Sequence, residues 1–246
     1  MERFISPKIF DPERITAAVS TRKGGVSTGY FSTLNLGKST SDAPENIAEN
    51  RRRFFSALEI DEAQTALSYQ VHGCEILHTE NPCRENGYDA LMTDKKGLFL
   101  VVSAADCTPV LMHDERNNAV AAVHAGWRGA VGNIVPKTIA RMKQVFRTDP
   151  RELKIFVGPC IGVGHFEIGE EVAREFPLQF VHKSEVPGKF FGDLKGLIRF
   201  QAISSGITEN HLEISEYCTF REESLFFSHR RDKGNTGRML AVIGMK

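Results

Sequence analysis

The chain has 246 residues, 41% hydrophobic and 25% charged, enough for one large domain with a substantial core and ordinary for a globular protein. Lys plus Arg equals Asp plus Glu at 31 each, so no global field directs the chain to nucleic acid or a membrane surface. No segment approaches the roughly 18 to 20 apolar residues of a membrane span, and the opening MERFISPKIFDPERI lacks the apolar run of a signal peptide.

Residues 15–20 (ITAAVS) read as a short strand. They run into a turn-rich stretch from Thr21 to Gly37, whose Gly, Ser and Thr content predicts an ordered loop with special backbone angles. A helix follows to about Leu58, capped by Ser41 or Asp42, with Pro44 tolerated in its first turn. Ile47, Phe54, Phe55 and Leu58 give it an inner face. Residues 66–71 and 75–79 read as strands around His72-Gly73. The continuous apolar run 98–105 predicts a buried strand. Strands 108–113 and 119–124 form a hairpin around the polar turn Asp114 to Asn118. A helix is predicted over 130–147, where Pro136 implies a late start or a kink. Strands 153–157 and 238–243 and helices 169–176 and 193–205 complete the pass. Strands and helices mix without strict alternation, which favours an α+β fold over a doubly wound sheet.

The five cysteines are Cys74, Cys83, Cys107, Cys160 and Cys218. The count is odd, the spacing wide and no C-x-x-C occurs, so a disulfide framework is not expected and a reducing cytoplasm suits the chain. One of these thiols has a natural partner. A hairpin turn centred between Glu115 and Arg116 sets Cys107 directly across from His124. Facing side chains have Cβ atoms about 4.5–5.5 Å apart, and Zn–S near 2.3 Å and Zn–N near 2.0 Å let both reach one ion. His72, in a loop between two strands, can complete a three-ligand set with one position open, the pattern of catalytic rather than structural zinc.

Basic residues cluster in Gly-containing turns: Arg22 in RKGG, Arg128 in HAGWRG, and Arg230 and Arg231 in SHRRDKG. Arginine forks beside loop amides suit a phosphate or substrate pocket. Each taken alone also reads as a solvated surface arginine. Cys160, in GPCIG, reads as a structural thiol or a pocket lining, and Trp127 as a packing lid or a stacking surface for a base.

Seven blocks in order, STRKGGVS, NLG, YQVHG, ADCTPV, AVHAGWRG, GPCIG and FFSHRRDKGNTGRM, resemble the YfiH-like family, also described as laccase-domain proteins and as purine nucleoside phosphorylases. The resemblance runs from about Thr21 to Met239. It implies a layered α/β sandwich with mixed sheets, spanning residues 1–246 as a single domain. It also implies metal binding by His72, Cys107 and His124, the three residues that the hairpin geometry allows. The implied substrates are purine nucleosides (adenosine, inosine, guanosine and methylthioadenosine) and phosphate, with adenosine deamination as a side activity.

The laccase description meets a chemical objection. A multicopper cluster is built largely from His-x-His pairs, and the eight histidines here form none. A single blue copper remains compatible with His₂Cys if Met112 supplies a weak axial ligand, so zinc ranks above copper. A metal-free rival uses Cys107 as nucleophile with His124 or His72 as base, a cysteine hydrolase of the kind attributed to cell-wall precursor editing. A third reading is a zinc- or nucleoside-binding module without catalysis. The proton for a departing purine has two acidic candidates, Asp106 and Asp193.

Overall fold

The structure is a computed structural model and describes residues 3–246. In chain order its strands are β1 (Phe4–Ile5), β2 (Ile15–Ser20), β3 (Thr65–Tyr69), β4 (Ile76–His78), β5 (Cys83–Asn86), β6 (Ala90–Thr93), β7 (Phe99–Ala104), β8 (Thr108–Asp114), β9 (Ala119–Ala125), β10 (Lys154–Val157), β11 (Glu167–Gly169), β12 (Val181–Lys183), β13 (Lys189–Gly192), β14 (Leu212–Ile214) and β15 (Met239–Met245). The helices are α1 (Pro44–Ala57), α2 (Trp127–Val131), α3 (Ile134–Phe146), α4 (Glu170–Ala173) and α5 (Leu194–Ser204).

Two mixed six-stranded sheets carry the fold, ordered β1-β2-β15-β7-β3-β5 and β14-β10-β8-β9-β6-β4, with a small third sheet β11-β13-β12. Side chains alternate between faces with the two-residue period of a strand. Leu100, Val102, Ala241 and Ile243 of the first sheet meet Leu111, Val120, Ala122 and Phe156 of the second in one apolar layer. The opposite face of the first sheet, with Val101, Leu240 and Val242, packs on Phe54 and Phe55 of α1 and on Leu34 and Leu36. The opposite face of the second, with Val110, Met112, Ala121 and Val123, packs on α3 and α5. The result is a layered α+β sandwich. Both sheets are covered on both sides, which explains why their central strands lack polar alternation. Among the described residues no helix is long and apolar enough to cross a membrane.

The loop 21–37 is ordered by a buried side chain. Asn50 of α1 accepts from the Val26 amide and donates to Ser27 and to the Thr33 and Asn35 carbonyls. Asp42 does not cap α1; Ala43 holds that position, and Asp42 instead accepts from Ser27 and Asn35 of the loop. The predicted helix 130–147 is two helices, broken at Gly132-Asn133 where Asn133 takes φ 63°. Pro136 thus falls in the first turn of α3, where its missing N–H costs nothing. Strands β5 and β6 and the third sheet have no counterpart in the sequence reading.

His113, on β8, is 3% exposed and lies edge-on to Phe10. Burial pushes its imidazole down to about 4, with Glu115 opposing the shift and Lys154 adding to it. Above the ordinary value of 6.5 the ring is neutral in folded and unfolded chains alike. Between 6.5 and about 4 the unfolded chain binds a proton that the folded chain refuses, so stability falls as pH falls. His113→Gln is expected to remove on the order of 2 to 3 kcal/mol of the stability lost between pH 7 and 4. Urea unfolding of both proteins at the two pH values measures it, and equal losses would count against this assignment.

Candidate metal centre

The centre lies where the chain crosses from one sheet to the other. Strand β7 ends at Ala104 and β8 begins at Thr108, so residues 105–107 bridge the sandwich. Asp106 takes φ 85°, turning the chain sharply enough to leave Cys107 at the mouth of the inter-sheet layer. On one side of β7, Gln70 continues β3 by clamping Ser103: its amide nitrogen donates to the Ser103 carbonyl at 2.9 Å and its oxygen accepts the Ser103 amide at 2.8 Å. His72 follows with φ 60°. On the second sheet, His124 sits near the end of β9, on the face that looks into the inter-sheet layer.

The hairpin register differs from the sequence expectation. Pro109, not Cys107, pairs with His124, and Thr108 pairs with Ala125. The connection is a four-residue loop, 115–118, closed by Asn118 at φ 49° and by Asp114, which accepts from the Asn117 amide and side chain. Cys107 therefore lies just beyond the ladder, opposite Gly126. A Cβ on Gly126 would stand 2.9 Å from His72 Cδ2 and 3.1 Å from Cys107 Sγ. The bare glycine leaves the room in which the three side chains meet.

They do meet. One nitrogen from each of His72 and His124 and the sulfur of Cys107 lie within 4.8 Å of one another. The two rings stand nearly perpendicular, centroids 4.8 Å apart. His124 is buried, Cys107 half-buried and His72 exposed, so the cluster opens to solvent on the His72 side. Two imidazoles and a thiolate around a shared point, with one side open, fit a tetrahedral ion carrying three protein ligands.

Asp89 supports this set. It precedes β6, which pairs with β9 so that Asp89 lies across from His124. It is fully buried. Its Oδ1 lies 2.8 Å from His124 Nδ1, and the carboxylate accepts the amides of Val71, His72 and Gly73 at 3.2, 3.0 and 2.7 Å. Burial would raise its pKa, but His124 and these amides together hold the carboxyl below its usual range. One carboxylate thus orients His124 and folds the loop that presents His72. The acid is legible only once β6 is known to pair with β9.

In the metal-free protein the sulfur is acidic. Burial opposes ionisation of Cys107, yet the two histidines outweigh it and bring the thiol down to about 6. Burial likewise opposes charging of His124, and Cys107 with Asp89 raises it to about 9.

The remaining candidates fall into different environments. Arg22 sends Nε to the Ser32 carbonyl at 2.7 Å and Nη1 to the Glu223 carbonyl at 3.1 Å, over the ring of Phe227. In RKGG the amides of Arg22, Lys23 and Gly25 donate to Leu225, Thr21 and Thr33 inside the protein, which leaves no row of amides for an anion. Arg231 is spent on Asp232 and on the carbonyls of Thr219, Phe220 and Phe226. Arg230 reaches the Glu167 carbonyl and lies over Phe166. Arg128 is exposed in α2 and stacks on half-buried Trp127, which packs on the core. Asp106 accepts from Thr219, Ser228 and the Arg230 amide, so it is a clasp for the C-terminal loop. Asp193 caps α5. Cys160 is buried and its thiol is pushed up to about 11 by burial, a structural role. Met112 faces the helical side of its sheet, roughly 10 Å along the ladder from His124, and cannot serve as an axial ligand.

A two-sheet sandwich with a Cys-His-His cluster at the crossover defines a YfiH-like protein, and comparison with known sequences agrees. Residues 16–246 match the profile of the family described as multi-copper polyphenol oxidoreductase laccase, and the chain belongs to that family. It is 34% identical to the purine nucleoside phosphorylase YfiH of Escherichia coli, over 99% of both chains. It is 39% identical to a purine nucleoside phosphorylase of Deinococcus radiodurans, over 93% of this chain and 88% of the relative. The crystal structure of YlmD from Geobacillus stearothermophilus superposes with a TM-score of 0.93 at 31% identity, covering 99% of this chain and 96% of that one.

Two substitutions test the support of the centre. Asp89→Asn is expected to weaken Zn²⁺ binding roughly 10- to 100-fold in a chelator competition titration. Gly126→Ala, at φ −70° where alanine fits the backbone, is expected to weaken binding without unfolding the protein, because its methyl intrudes between the ligands. Unchanged affinity in either variant would remove that residue from the support of the site.

Proposed function

We propose that this protein is a zinc-dependent purine nucleoside phosphorylase acting on adenosine, inosine, guanosine and methylthioadenosine. The observation that carries the reading is the convergence of His72, Cys107 and His124 on one point with a solvent-facing side. The names of the relatives supply the reaction class. Zinc suits two imidazoles and one thiolate with an open position. Copper suits them less, since Met112 lies on the wrong face and the eight histidines contain no His-x-His pair for a cluster.

Bound zinc would supply Lewis acidity at the open position. The protein's own residues do the rest. His72, Cys107 and His124 would hold the ion, and Asp89 accepts a hydrogen bond from Nδ1–H of His124 so that the other ring nitrogen faces the centre. The nucleoside approaches from the exposed His72 side. In phosphorolysis a phosphate oxygen bonds to C1′ of the ribose, the C1′–N9 bond breaks, and the purine leaves with a proton. Asp106 and Asp193 are both engaged in structural hydrogen bonds, which argues against either as the donor. Adenosine deamination is the second activity we assign to this centre. The free, unpaired cysteines suit a cytoplasmic enzyme.

One observation favours a second reading. Cys107, His124 and Asp89 form a Cys-His-Asp series in which the thiol titrates near 6, the makings of a cysteine hydrolase. A second imidazole on the same sulfur is surplus to that chemistry and required by a metal, so the phosphorylase ranks first.

Incubation of zinc-loaded protein with each nucleoside, with and without phosphate, is expected to release free base only with phosphate, and to convert adenosine to inosine without it. His72→Ala, Cys107→Ala and His124→Ala should each abolish base release while keeping the native circular dichroism. Base release that survives chelation, or an activity lost to thiol alkylation but untouched by chelators, would overturn the zinc reading in favour of the hydrolase.

A further inference from the structure

Phosphorolysis needs a cationic group for its anionic substrate, and Arg22 and Arg231 are spent inside the protein. A different arginine lies at the centre. Met239 pairs with Ala104 at the ends of β15 and β7, so Arg238 stands beside the crossover that carries Cys107, on the side of β7 opposite to His72. Its backbone is fixed on both sides: its amide donates to Asn35 at 2.9 Å and its carbonyl accepts the Leu36 amide at 3.1 Å. Its stem lies on Gly37, where a Cβ would come within 2.6 Å of Arg238 Cγ. Nη1 donates to the carbonyls of Thr236 and Gly237 at 2.9 and 3.0 Å, which aims the plane of the guanidinium.

The charge on this group is poorly matched. Arg51 has Glu62 and Arg231 has Asp232, but no carboxylate closes an ion pair with Arg238 among the described residues. The negative groups that act on it are Cys107 and Asp106. Both oxygens of Asp106 are taken by Thr219, Ser228 and the Arg230 amide. Cys107 is the sulfur offered to the metal. Nε and Nη2 of Arg238 find no acceptor among the described residues. Half-burying a cation without a counter-charge costs free energy, and this burial pushes the guanidinium below its ordinary pKa. A planar fork with two unspent N–H edges is the arrangement that takes a tetrahedral oxyanion.

We propose that Arg238 binds the anionic substrate at this centre, an inorganic phosphate or an oxyanion of the same shape. The choice of phosphate rests on the phosphorylase reading above; the anion site itself rests on the placement of Arg238. Zinc-loaded parent, Arg238→Ala and Arg238→Lys proteins are titrated with inorganic phosphate in a calorimeter, with zinc content and thermal unfolding measured on the same samples. Arg238→Ala is expected to weaken phosphate binding roughly 10- to 100-fold with zinc content unchanged. Arg238→Lys, which keeps the charge and loses the fork, is expected to fall between. If the alanine variant does not fold, the lysine variant carries the test. Phosphate affinity within about twofold of the parent in a folded, zinc-replete variant overturns the proposal, as does loss of zinc in place of phosphate, or a parent that binds no phosphate. The two readings separate cleanly. Arg238-dependent phosphate binding without base release sinks the phosphorylase and leaves the anion site. Base release with an unchanged phosphate KM in Arg238→Ala sinks the anion site and leaves the phosphorylase.

Discussion

One buried carboxylate joins the two halves of the centre. Asp89 immediately precedes β6 of the second sheet, and it accepts the amides of residues 71–73, which leave the first. The same group engages Nδ1 of His124. Without that acceptor the buried His124 ring would keep an unsatisfied donor, costing on the order of 1–3 kcal/mol, and the loop 71–73 would lose its anchor. The geometry of both histidines therefore follows from one side chain.

The position of the centre follows from topology. A sandwich of two sheets must pass the chain between layers somewhere, and here two passages of only three residues, 87–89 and 105–107, carry Asp89 and Cys107. A crossover of three residues cannot be regular structure, and Asp106 holds the second with a left-handed backbone and a set of hydrogen bonds to the C-terminal loop. Cys107 is thus presented at the open end of the apolar layer, where two imidazoles outweigh burial and favour the thiolate that a metal requires. Loops anchored by rigid sheets on three sides supply precision that a mobile loop would lack.

The arginines show how position in the fold decides the meaning of a residue type. Arg22 and Arg231 lie in the Gly-rich segments that suggest an anion pocket, yet they tie loops together through carbonyl acceptors. Arg238 sits in the same C-terminal segment and differs by one thing, its place beside the end of β7. A guanidinium has five donors, and whether they are spent on backbone or left for a ligand depends on what the tertiary fold brings near.

The sequence by itself determined the central strands, because runs such as LFLVVSAA and AVAAVHA are apolar on both faces and can only be buried. It also offered the candidate ligands, since His72, Cys107 and His124 stand at strand ends beside small and turn-forming neighbours. It left β5 and β6 unseen, because four-residue strands carry too little periodicity to register. Only the tertiary structure decided that Pro109 faces His124, that Asp89 rather than a nearer acid supports the ring, that Gly126 clears the space and that Arg238 flanks the sulfur. Each of these depends on strand register and sheet order. A slip of one residue turns a side chain to the other face, and the local sequence carries no record of which neighbour lies across.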